Sequence, residues 1–215
     1  MTILQSFKKS SVFSHLNWIR GKSKLHKSKR FSESELQSQV SCPICRSTSA
    51  NPIVYPERFS DCPDSMTCAS CGCWYMSKVL VDEHLQGLGK HGGEMVFGAG
   101  QDQASNDRAF KKMYKRTKQY HAFLEPHIKE GSKYLEFTSQ YGGGVKCMQE
   151  LGYDAYGLDA ECKSAAYSKA LLGDKILFGD VTTYASDMRF DVISLPRVLN
   201  HYTDPMSVLQ VALNL

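Results

Sequence analysis

The sequence lacks any long apolar run. No stretch approaches the roughly 20 consecutive apolar residues that a membrane-spanning helix requires. It also lacks the compact apolar segment that marks an export signal near an amino terminus. We therefore expect a soluble, cytoplasmic protein with no membrane span. Its 215 residues, of which 42% are hydrophobic, are enough to form a core in one large or two small domains.

Acidic residues are missing from the first thirty positions, which carry eight Lys or Arg. Residues 31–215 hold 18 basic and 22 acidic residues, so the formal net charge of +4 arises from the amino-terminal segment alone. This balance makes nucleic acid an unlikely partner for the rest of the chain. Residues 1–40 are basic and Ser-rich, and they fit a transit peptide, a surface-adhering amphipathic arm or a flexible extension. We favour the extension.

Cysteine, in contrast, is abundant: six of the eight cysteines lie between residues 42 and 73. Two Cys-x-x-Cys pairs, separated by 22 residues, have the spacing of a tetrahedral zinc site whose pairs are joined by a β excursion. The predicted ligands are Cys42, Cys45, Cys68 and Cys71. Cys62 and Cys73 form no such pair, and we interpret them as free thiols. Residues 41–80 are thus a predicted zinc ribbon, with a structural rather than catalytic metal.

The next two segments contrast in composition. Residues 81–107 are Gly-rich and polar, which indicates a linker or a mobile lid, and we expect the histidines His84 and His91 within it to be solvated. From Arg108 to Glu130, apolar residues recur at three- and four-residue spacing, which predicts a helix. Its remaining surface is basic, and this is explained either by a solvated face, which we favour, or by a phosphate-bearing substrate.

The stretch from Ser132 to Asp159 has the pattern of one βαβ unit. An apolar run is followed by a turn that ends in three glycines, then by a short helical pattern and a second apolar run that closes on Asp159. Such a turn places backbone N–H groups and a helix amino terminus beside a bound nucleotide. An acid about 20 residues further on accepts hydrogen bonds from a ribose diol, and Asp159 occupies that position.

This stretch resembles the first motif and second strand of class I S-adenosylmethionine-dependent methyltransferases, whose pattern is acid-x-Gly-x-Gly-x-Gly. Glu136 matches the motif acid and Gly142 its third glycine. Thr138 and Gln140 stand where the family has its first two glycines, so a side chain is expected to intrude at the methionine end of the pocket. The resemblance implies that Glu136, Gly142, Gly143 and Asp159 bind the cofactor. An ordinary tight turn between strand and helix is the alternative.

The segment from Phe178 to Pro205 resembles the third and fourth motifs of the same family. The resemblance implies that Asp180 binds the adenine amino group, Val181 lies on the ring and Leu195 flanks the methyl donor. It also places His201 near the methyl-transfer site, where an imidazole can act as a base. The alternatives are a turn role for Asp180 and, for His201, a hydrogen bond to the backbone at a helix entry. Tyr141 and Tyr202 either line the pocket or pack in the core.

Further elements follow from local signals. We expect a helix from Lys163 to Leu172 stopped by Gly173, strands at 175–178 and 190–195, and a helix that opens at Asp204-Pro205. The predicted fold is an α/β, Rossmann-like methyltransferase core over residues 108–215, with four parallel strands in the family order 3-2-1-4. Because the family core has seven strands, we expect a truncated member or one whose sheet is completed by a partner chain.

A ribbon followed by such a core resembles a group of bacterial methyltransferases that includes sugar C-methyltransferases acting on nucleotide-linked deoxysugars. The resemblance implies an enzyme that uses S-adenosylmethionine and Zn²⁺ and acts on a small molecule. The rival hypothesis is a catalytically inactive methyltransferase-like module for binding or assembly, which the non-glycine residues Thr138 and Gln140 favour. A zinc-ribbon nucleic-acid binder is a third and weaker hypothesis.

Overall fold

The computed structural model describes residues 36–53, 65–80, 102–160 and 162–215. The chain divides into residues 1–37 and residues 38–215, and the description below concerns the second unit. The amino-terminal extension, the segment that holds Cys62 and the linker that holds His84 and His91 lie mostly or wholly outside the described residues. Among the described residues, no helix combines the length and the apolar character needed to cross a membrane.

The region around the two cysteine pairs forms short strands. The strands are β1 (Leu36–Ser38), β2 (Ala50–Ile53), β3 (Ser65–Cys68), β4 (Trp74–Met76) and β5 (Lys78–Leu80). β2, β3 and β4 make one sheet in that order, in which Ala50 pairs with Cys68 and Thr67 with Trp74. The expected β excursion between the cysteine pairs is therefore present. Trp74 is exposed on the outer strand.

The rest of the unit is an α/β layer arrangement around a parallel sheet. Its strands are β6 (Lys133–Phe137), β7 (Asp154–Asp159), β8 (Ile176–Phe178) and β9 (Val192–Ser194). They lie in the order β8-β7-β6-β9, all parallel, which confirms the predicted order 3-2-1-4 and the predicted fold class. Parallel strands buried on both faces favour apolar sequence, which β6 supplies with Tyr134, Leu135 and Phe137, while its Glu136 is a buried charged residue.

Four helices accompany the sheet in the described residues: α1 (Gln103–Leu124), α2 (Gly143–Glu150), α3 (Lys163–Leu172) and α4 (Pro205–Leu213). α3 has the predicted bounds and ends at Gly173, whose φ of +56° is readily adopted only by glycine. α4 begins as predicted, with Asp204 as its N-cap. α1 starts five residues before the expected Arg108, because the Asp102 carboxylate accepts a hydrogen bond from the Ser105 N–H and caps it there.

Three short 3₁₀ turns, Glu125–His127, Gly173–Lys175 and Leu199–His201, complete the described elements. The main core lies between β6, β7, β9 and α4, where Leu135, Phe137, Leu158 and Val208 are buried together. A second cluster between β6, β7 and α2 contains Tyr134, Val145 and Met148. The two clusters fix the strands at both faces, so that the loops at the carboxyl edge of the sheet are carried by a rigid base.

Candidate functional site

The four predicted cysteines come together. Sγ of Cys42 lies 3.6 Å from Sγ of Cys71, and Sγ of Cys45 lies 3.4 Å from Sγ of Cys68. All four sulfur atoms lie within 4.8 Å of one another. Tetrahedral zinc with Zn–S bonds of about 2.3 Å places its ligand sulfurs about 3.8 Å apart. The four thiols therefore fit a single metal ion of this size and preference.

Backbone turns hold each cysteine pair. The Arg46 N–H donates to the Cys42 carbonyl at 2.9 Å, and the Gly72 N–H donates to the Cys68 carbonyl at 3.0 Å. In the second pair, the backbone N–H of Cys71 and then that of Ser70 lower the pKa of the Cys68 thiol to about 6. Thiolate is the form that binds a metal, so the turn prepares Cys68 as a ligand.

The short distances between the four thiols oppose the ionisation of all four. The Cys73 N–H would lower the pKa of Cys71, but hydrogen bonding to the Cys45 thiol, together with burial, raises this pKa to about 12. Four adjacent thiols cannot all ionise without a cation, and a divalent metal supplies that charge. Cys73 lies outside the set of four, and its thiol donates to the Trp74 carbonyl at 3.6 Å.

The second candidate site lies at the carboxyl edge of the parallel sheet. Asp159 ends β7 and Phe178 opposite it ends β8, while Glu136 of β6 is opposite Ser194 of β9. In doubly wound sheets, ligands bind at this edge, where the strand order reverses. Here that reversal falls between β6 and β9, so the loops after β6, β7, β8 and β9 surround the candidate site.

Asp159 faces the turn that follows β6. Its Oδ2 accepts a short hydrogen bond from the Gln140 N–H, and its Oδ1 accepts one from the Ala160 N–H at 2.9 Å. The residue is only 5% exposed, and burial raises the pKa of its carboxyl to about 6 despite both bonds. A carboxylate has about four lone-pair positions, so two remain for a ligand hydroxyl.

The turn after β6 holds two non-glycine residues in a left-handed backbone conformation. Thr138 has a φ of +52° and Gln140 a φ of +48°, both in the left-handed region that glycine adopts most readily. These are the two positions at which the family motif has glycine. Each of these two places therefore carries a side chain on a left-handed backbone.

The three glycines that follow make room for other parts of the protein. A Cβ on Gly142 would lie 2.8 Å from both Ser168 Cβ and Leu172 Cδ1 of α3. A Cβ on Gly143 would lie 2.2 Å from the Phe110 carbonyl oxygen of α1, and one on Gly144 would lie 2.1 Å from Glu136 Oε2. Close packing of α1, α3 and the Glu136 carboxyl thus requires all three glycines.

Glu136, the motif acid, is buried rather than open to a ligand. It is 1% exposed, and Tyr134 Oη donates to its Oε2 at 3.4 Å. Burial raises the pKa of its carboxyl to about 7, although the positive charge of Arg116 opposes the shift. With its oxygens beside Gly144 in the first turn of α2, Glu136 places partial negative charge at the positive end of that helix.

The three residues that the resemblance assigns to the adenine and the methyl donor differ in their burial. Asp180 is exposed, and its Oδ1 accepts from the Thr182 N–H at 2.8 Å and from Thr182 Oγ1 at 2.6 Å, as in a turn. Val181 is buried in the main core. Leu195 is half-buried, follows β9 directly and packs against the same core.

His201 and Tyr202 lie just after β9, on the segment that leads to α4. His201 ends a 3₁₀ turn, and its N–H donates to the Val198 carbonyl at 2.9 Å. Partial burial of its ring, and then the nearby Arg197, lower the pKa of His201, so it is neutral at pH 7. Burial raises the pKa of Tyr202 to about 12, and the carboxylates of Asp180 and Asp159 add to that effect. Tyr202 therefore lies in the field of both acids.

Two buried hydroxyls lie in this region, those of Ser139 and Tyr141. Ser139 is not predicted as a site residue from the sequence, whereas Tyr141 is one of the two tyrosines expected either to line the pocket or to pack in the core. Ser139 is fully buried between the two left-handed residues, and its Oγ has no hydrogen-bond partner among the described residues. Tyr141 is fully buried too, with its ring 5.8 Å from that of Tyr167, whose hydroxyl donates to Asp107. A usable signal for Ser139 was its position between Thr138 and Gln140, where motif glycines are expected.

Comparison with known proteins gives similarity in structure alone. No protein-family profile matches the sequence, and no curated protein is significantly similar to it. Among solved structures, the chain is similar to the S-adenosylmethionine-bound amino pentose methyltransferase CalS10 of Micromonospora echinaspora, from calicheamicin biosynthesis. The sequence identity is 12%, the TM-score is 0.43, and the match covers 48% of this chain and 46% of that one.

Two further solved methyltransferases are similar over comparable lengths. The glycopeptide N-methyltransferase MtfA, in complex with S-adenosylmethionine, is 19% identical over 46% of this chain and 49% of its own, with a TM-score of 0.40. The plantazolicin methyltransferase BpumL, in complex with SAH, is 16% identical over 61% of this chain and 56% of its own, with a TM-score of 0.40. The chain thus spans about half the length of the solved structures that it matches.

Proposed function

We propose that this protein binds S-adenosylmethionine at the carboxyl edge of its parallel sheet and transfers the methyl group to a small molecule, with nucleotide-linked sugars as the substrate class. The observation that carries the proposal is the contact of Asp159 with the turn after β6. Its carboxylate lies at the end of the second strand, faces the Gln140 N–H and keeps lone pairs for a ribose diol.

Within this proposal, each residue of the edge has a limited role. Asp159 would hold the ribose, Asp180 would accept a hydrogen bond from the adenine amino group, and Leu195 would flank the methyl donor. Glu136, Gly142 and Gly143 act by fixing the turn and the start of α2, because their own surfaces contact protein. S-adenosylmethionine, when bound, supplies an electrophilic methyl group on sulfur.

His201 is the proposed base. Its ring is neutral at pH 7 and reaches the surface on the segment after β9, so it can take the proton that the acceptor atom loses as it bonds to the methyl carbon. The protein otherwise contributes orientation, which for an in-line methyl transfer is the main requirement. The substrate side of the site is then formed by the segment that carries His201 and Tyr202.

For the four-cysteine cluster, we propose a structural Zn²⁺ bound by Cys42, Cys45, Cys68 and Cys71. Four sulfur ligands fill a tetrahedral ion and leave no position for a substrate. The sulfur separations and the low pKa of Cys68 support this assignment. The metal would hold together a small sheet whose own apolar core is slight.

A second candidate function, a catalytically inactive module for binding or assembly, is favoured by specific observations. Thr138 and Gln140 carry side chains into the glycine positions, and Asp159 is only 5% exposed. The outer edge of β9 also has no paired strand among the described residues. We propose that a partner chain pairs with this edge. Light scattering of the purified protein would then detect an assembly larger than the 24.1 kDa monomer.

Isothermal titration calorimetry with S-adenosylmethionine tests the enzymatic proposal against the second one. We expect saturable binding, and a loss of affinity of at least about tenfold in Asp159→Asn, which removes the charge that accepts the diol. The matched control is Asp174→Asn, because Asp174 is exposed in the 3₁₀ turn after α3. Circular dichroism confirms that each variant is folded.

The outcomes separate the two functions. Binding by the wild type and by Asp174→Asn, but not by Asp159→Asn, supports cofactor binding at the sheet edge. Absence of heat at millimolar S-adenosylmethionine in the folded wild type would leave only the binding or assembly module. Equal affinity in the wild type and Asp159→Asn would place any bound cofactor elsewhere.

A further inference from the structure

One side-chain contact joins the first cysteine pair to the end of the sheet. Arg46 Nη2 lies 2.7 Å from Asp204 Oδ1, between residues that are 158 positions apart in the chain. The two side chains are 56% and 51% exposed, so water screens the pair. Neither residue is a predicted metal ligand or cofactor contact.

The metal site fixes the position of Arg46. This residue follows Cys45 directly, has a left-handed φ of +64°, and donates its N–H to the Cys42 carbonyl at 2.9 Å. The Cys42 N–H in turn donates to the Ser47 carbonyl at 2.8 Å. The backbone on both sides of Arg46 thus belongs to the turn that brings two of the four thiols together.

Asp204 belongs to the segment that leads out of the candidate methyl-transfer site. Its carboxylate accepts from the Met206 N–H at 3.3 Å, and its carbonyl accepts from Ser207 Oγ at 2.7 Å, so it caps α4. His201 and Tyr202 lie three and two residues before it, respectively. A displacement of Asp204 would therefore move the residues that form the substrate side of the proposed site.

We propose that Arg46 is a positioning residue, which couples metal occupancy of the cysteine cluster to the order of residues 199–206. When the metal is bound, the turn holds the guanidinium against Asp204. When the metal is removed, the crowded thiols no longer share a cation, the turn opens, and the contact is lost. The proposal rests on the proposed metal site but not on methyl transfer.

Hydrogen exchange measured by mass spectrometry tests the coupling in the full chain, with and without a chelator. In the wild type, we expect chelation to speed exchange of peptides covering residues 199–206 by about twofold to fivefold, the range typical of an exposed ion pair. Zinc-loaded Arg46→Ala should show the fast rate already, and chelation should add nothing. Arg46→Lys keeps the charge and should restore part of the protection.

A matched arginine and a salt series complete the design. Arg189→Ala removes another exposed guanidinium, whose Nη1 donates to the carbonyls of Ser186 and Met188 in its own loop, and it should behave as the wild type. Added salt should speed exchange of residues 199–206 in the zinc-loaded wild type but not in Arg46→Ala, because it screens the ion pair.

Three results would overturn the coupling. One is a zinc-loaded protein in which chelation speeds exchange of residues 42–53 but leaves residues 199–206 unchanged. Another is an equal response to chelation in Arg46→Ala and in the wild type. A protein that retains no zinc after reconstitution would overturn both the metal site and the coupling, whereas the first two results leave the metal site in place.

Discussion

The two candidate sites are built in opposite ways. The thiol cluster takes its four ligands from two short turns, Cys42–Cys45 and Cys68–Cys71, so the spacing within each pair almost determines the geometry. The sheet-edge site takes its residues from the loops after four strands, and their side chains are held by contacts with α1, α3 and α4. Under the proposed metal assignment, the thiol cluster would depend on a bound ion for its shape, while the sheet edge depends on the protein around it.

Removal of one thiol should have the largest effect, in the ribbon and in the segment 199–206 that Arg46 contacts through Asp204. Cys68→Ser deletes a buried ligand whose pKa is about 6, and structural zinc sites contribute about 10–16 kcal/mol of binding free energy. We expect bound zinc, measured by atomic emission, to fall from one equivalent to none. Hydrogen exchange should then rise in residues 42–53 and 65–80 and, through the contact of Arg46 with Asp204, in residues 199–206, with residues 133–159 unchanged.

The control for this experiment is Cys73→Ser, since Cys73 is adjacent in sequence but outside the group of four. It should keep a full equivalent of zinc. Retention of zinc by Cys68→Ser, or its loss in Cys73→Ser, would contradict the ligand assignment. Loss of order in residues 133–159 would show that the two regions are not independent.

The buried carboxyls of the sheet edge predict an unusual pH dependence. Glu136 and Asp159 have pKa values of about 7 and about 6 in the folded protein, against 4.5 and 3.8 when unperturbed. The native state thus binds more protons between about pH 4 and pH 7, so the free energy of unfolding falls as pH rises through this window. At 1.36 kcal/mol per pKa unit, each group accounts for at most about 3 kcal/mol.

Glu136→Gln isolates the contribution of one carboxyl to the pH dependence of the free energy of unfolding. The variant cannot ionise, so urea titrations should show a smaller fall in stability between pH 4 and pH 8, and at pH 8 the variant should exceed the wild type. Glu125→Gln changes an exposed carboxyl in the same way and should leave the slope unchanged. If the stability of the wild type instead rises from pH 4 to pH 8, burial does not raise the pKa values of these two carboxyls.

A methyl group at Gly143 tests the contact between α1 and the glycine turn. Gly143→Ala places its Cβ 2.2 Å from the Phe110 carbonyl oxygen, which is backbone and cannot move alone, so α1 must shift. We expect a loss of about 3 kcal/mol in the free energy of unfolding by urea titration, at the upper end for overpacking. The comparison variant, Gly131→Ala, has open space but a φ of +77°, and should lose only about 1 kcal/mol. Equal losses would remove the steric explanation.

The smallest expected effect concerns the side chain at Gln140. Gln140→Gly relieves the left-handed backbone, at a cost in chain entropy, so stability should change by less than about 1 kcal/mol. If the side chain obstructs the cofactor, both Gln140→Gly and Gln140→Ala should bind S-adenosylmethionine more tightly by calorimetry. If backbone strain matters instead, only the glycine variant should do so. Weaker binding by both would contradict either role.

The sequence predicts the parts of this molecule that depend on near neighbours. The two cysteine pairs, the bounds of α3 and the Asp204 cap follow from spacing, capping and apolar pattern, and the structure confirms them. The order of the parallel strands, which the structure also confirms, is implied by the family resemblance. The start of α1 was predicted too late because the capping signal, Asp102 with Ser105, lies in a polar stretch that resembles a linker. A search for Asp three residues before Ser would have found it.

The parts that sequence cannot predict are set by contacts between distant elements. Whether Gly143 faces a ligand or α1 depends on how a helix earlier in the chain packs, through Phe110, and no local pattern contains that information. The same holds for the burial of Glu136 and Val181, and for the contact between Arg46 and Asp204. The resemblance to a cofactor motif identifies where a site would lie, but the tightness of its packing depends on the tertiary structure.

The most direct test of the sheet-edge site is hydrogen exchange with and without saturating S-adenosylhomocysteine, the demethylated product. If Asp159 and the turn after β6 hold an adenosine, exchange should slow in peptides covering residues 137–144 and 157–160, and residues 42–53 should be unaffected. Unchanged exchange at the sheet edge with millimolar ligand, in a protein that is folded and zinc-loaded, would contradict cofactor binding there.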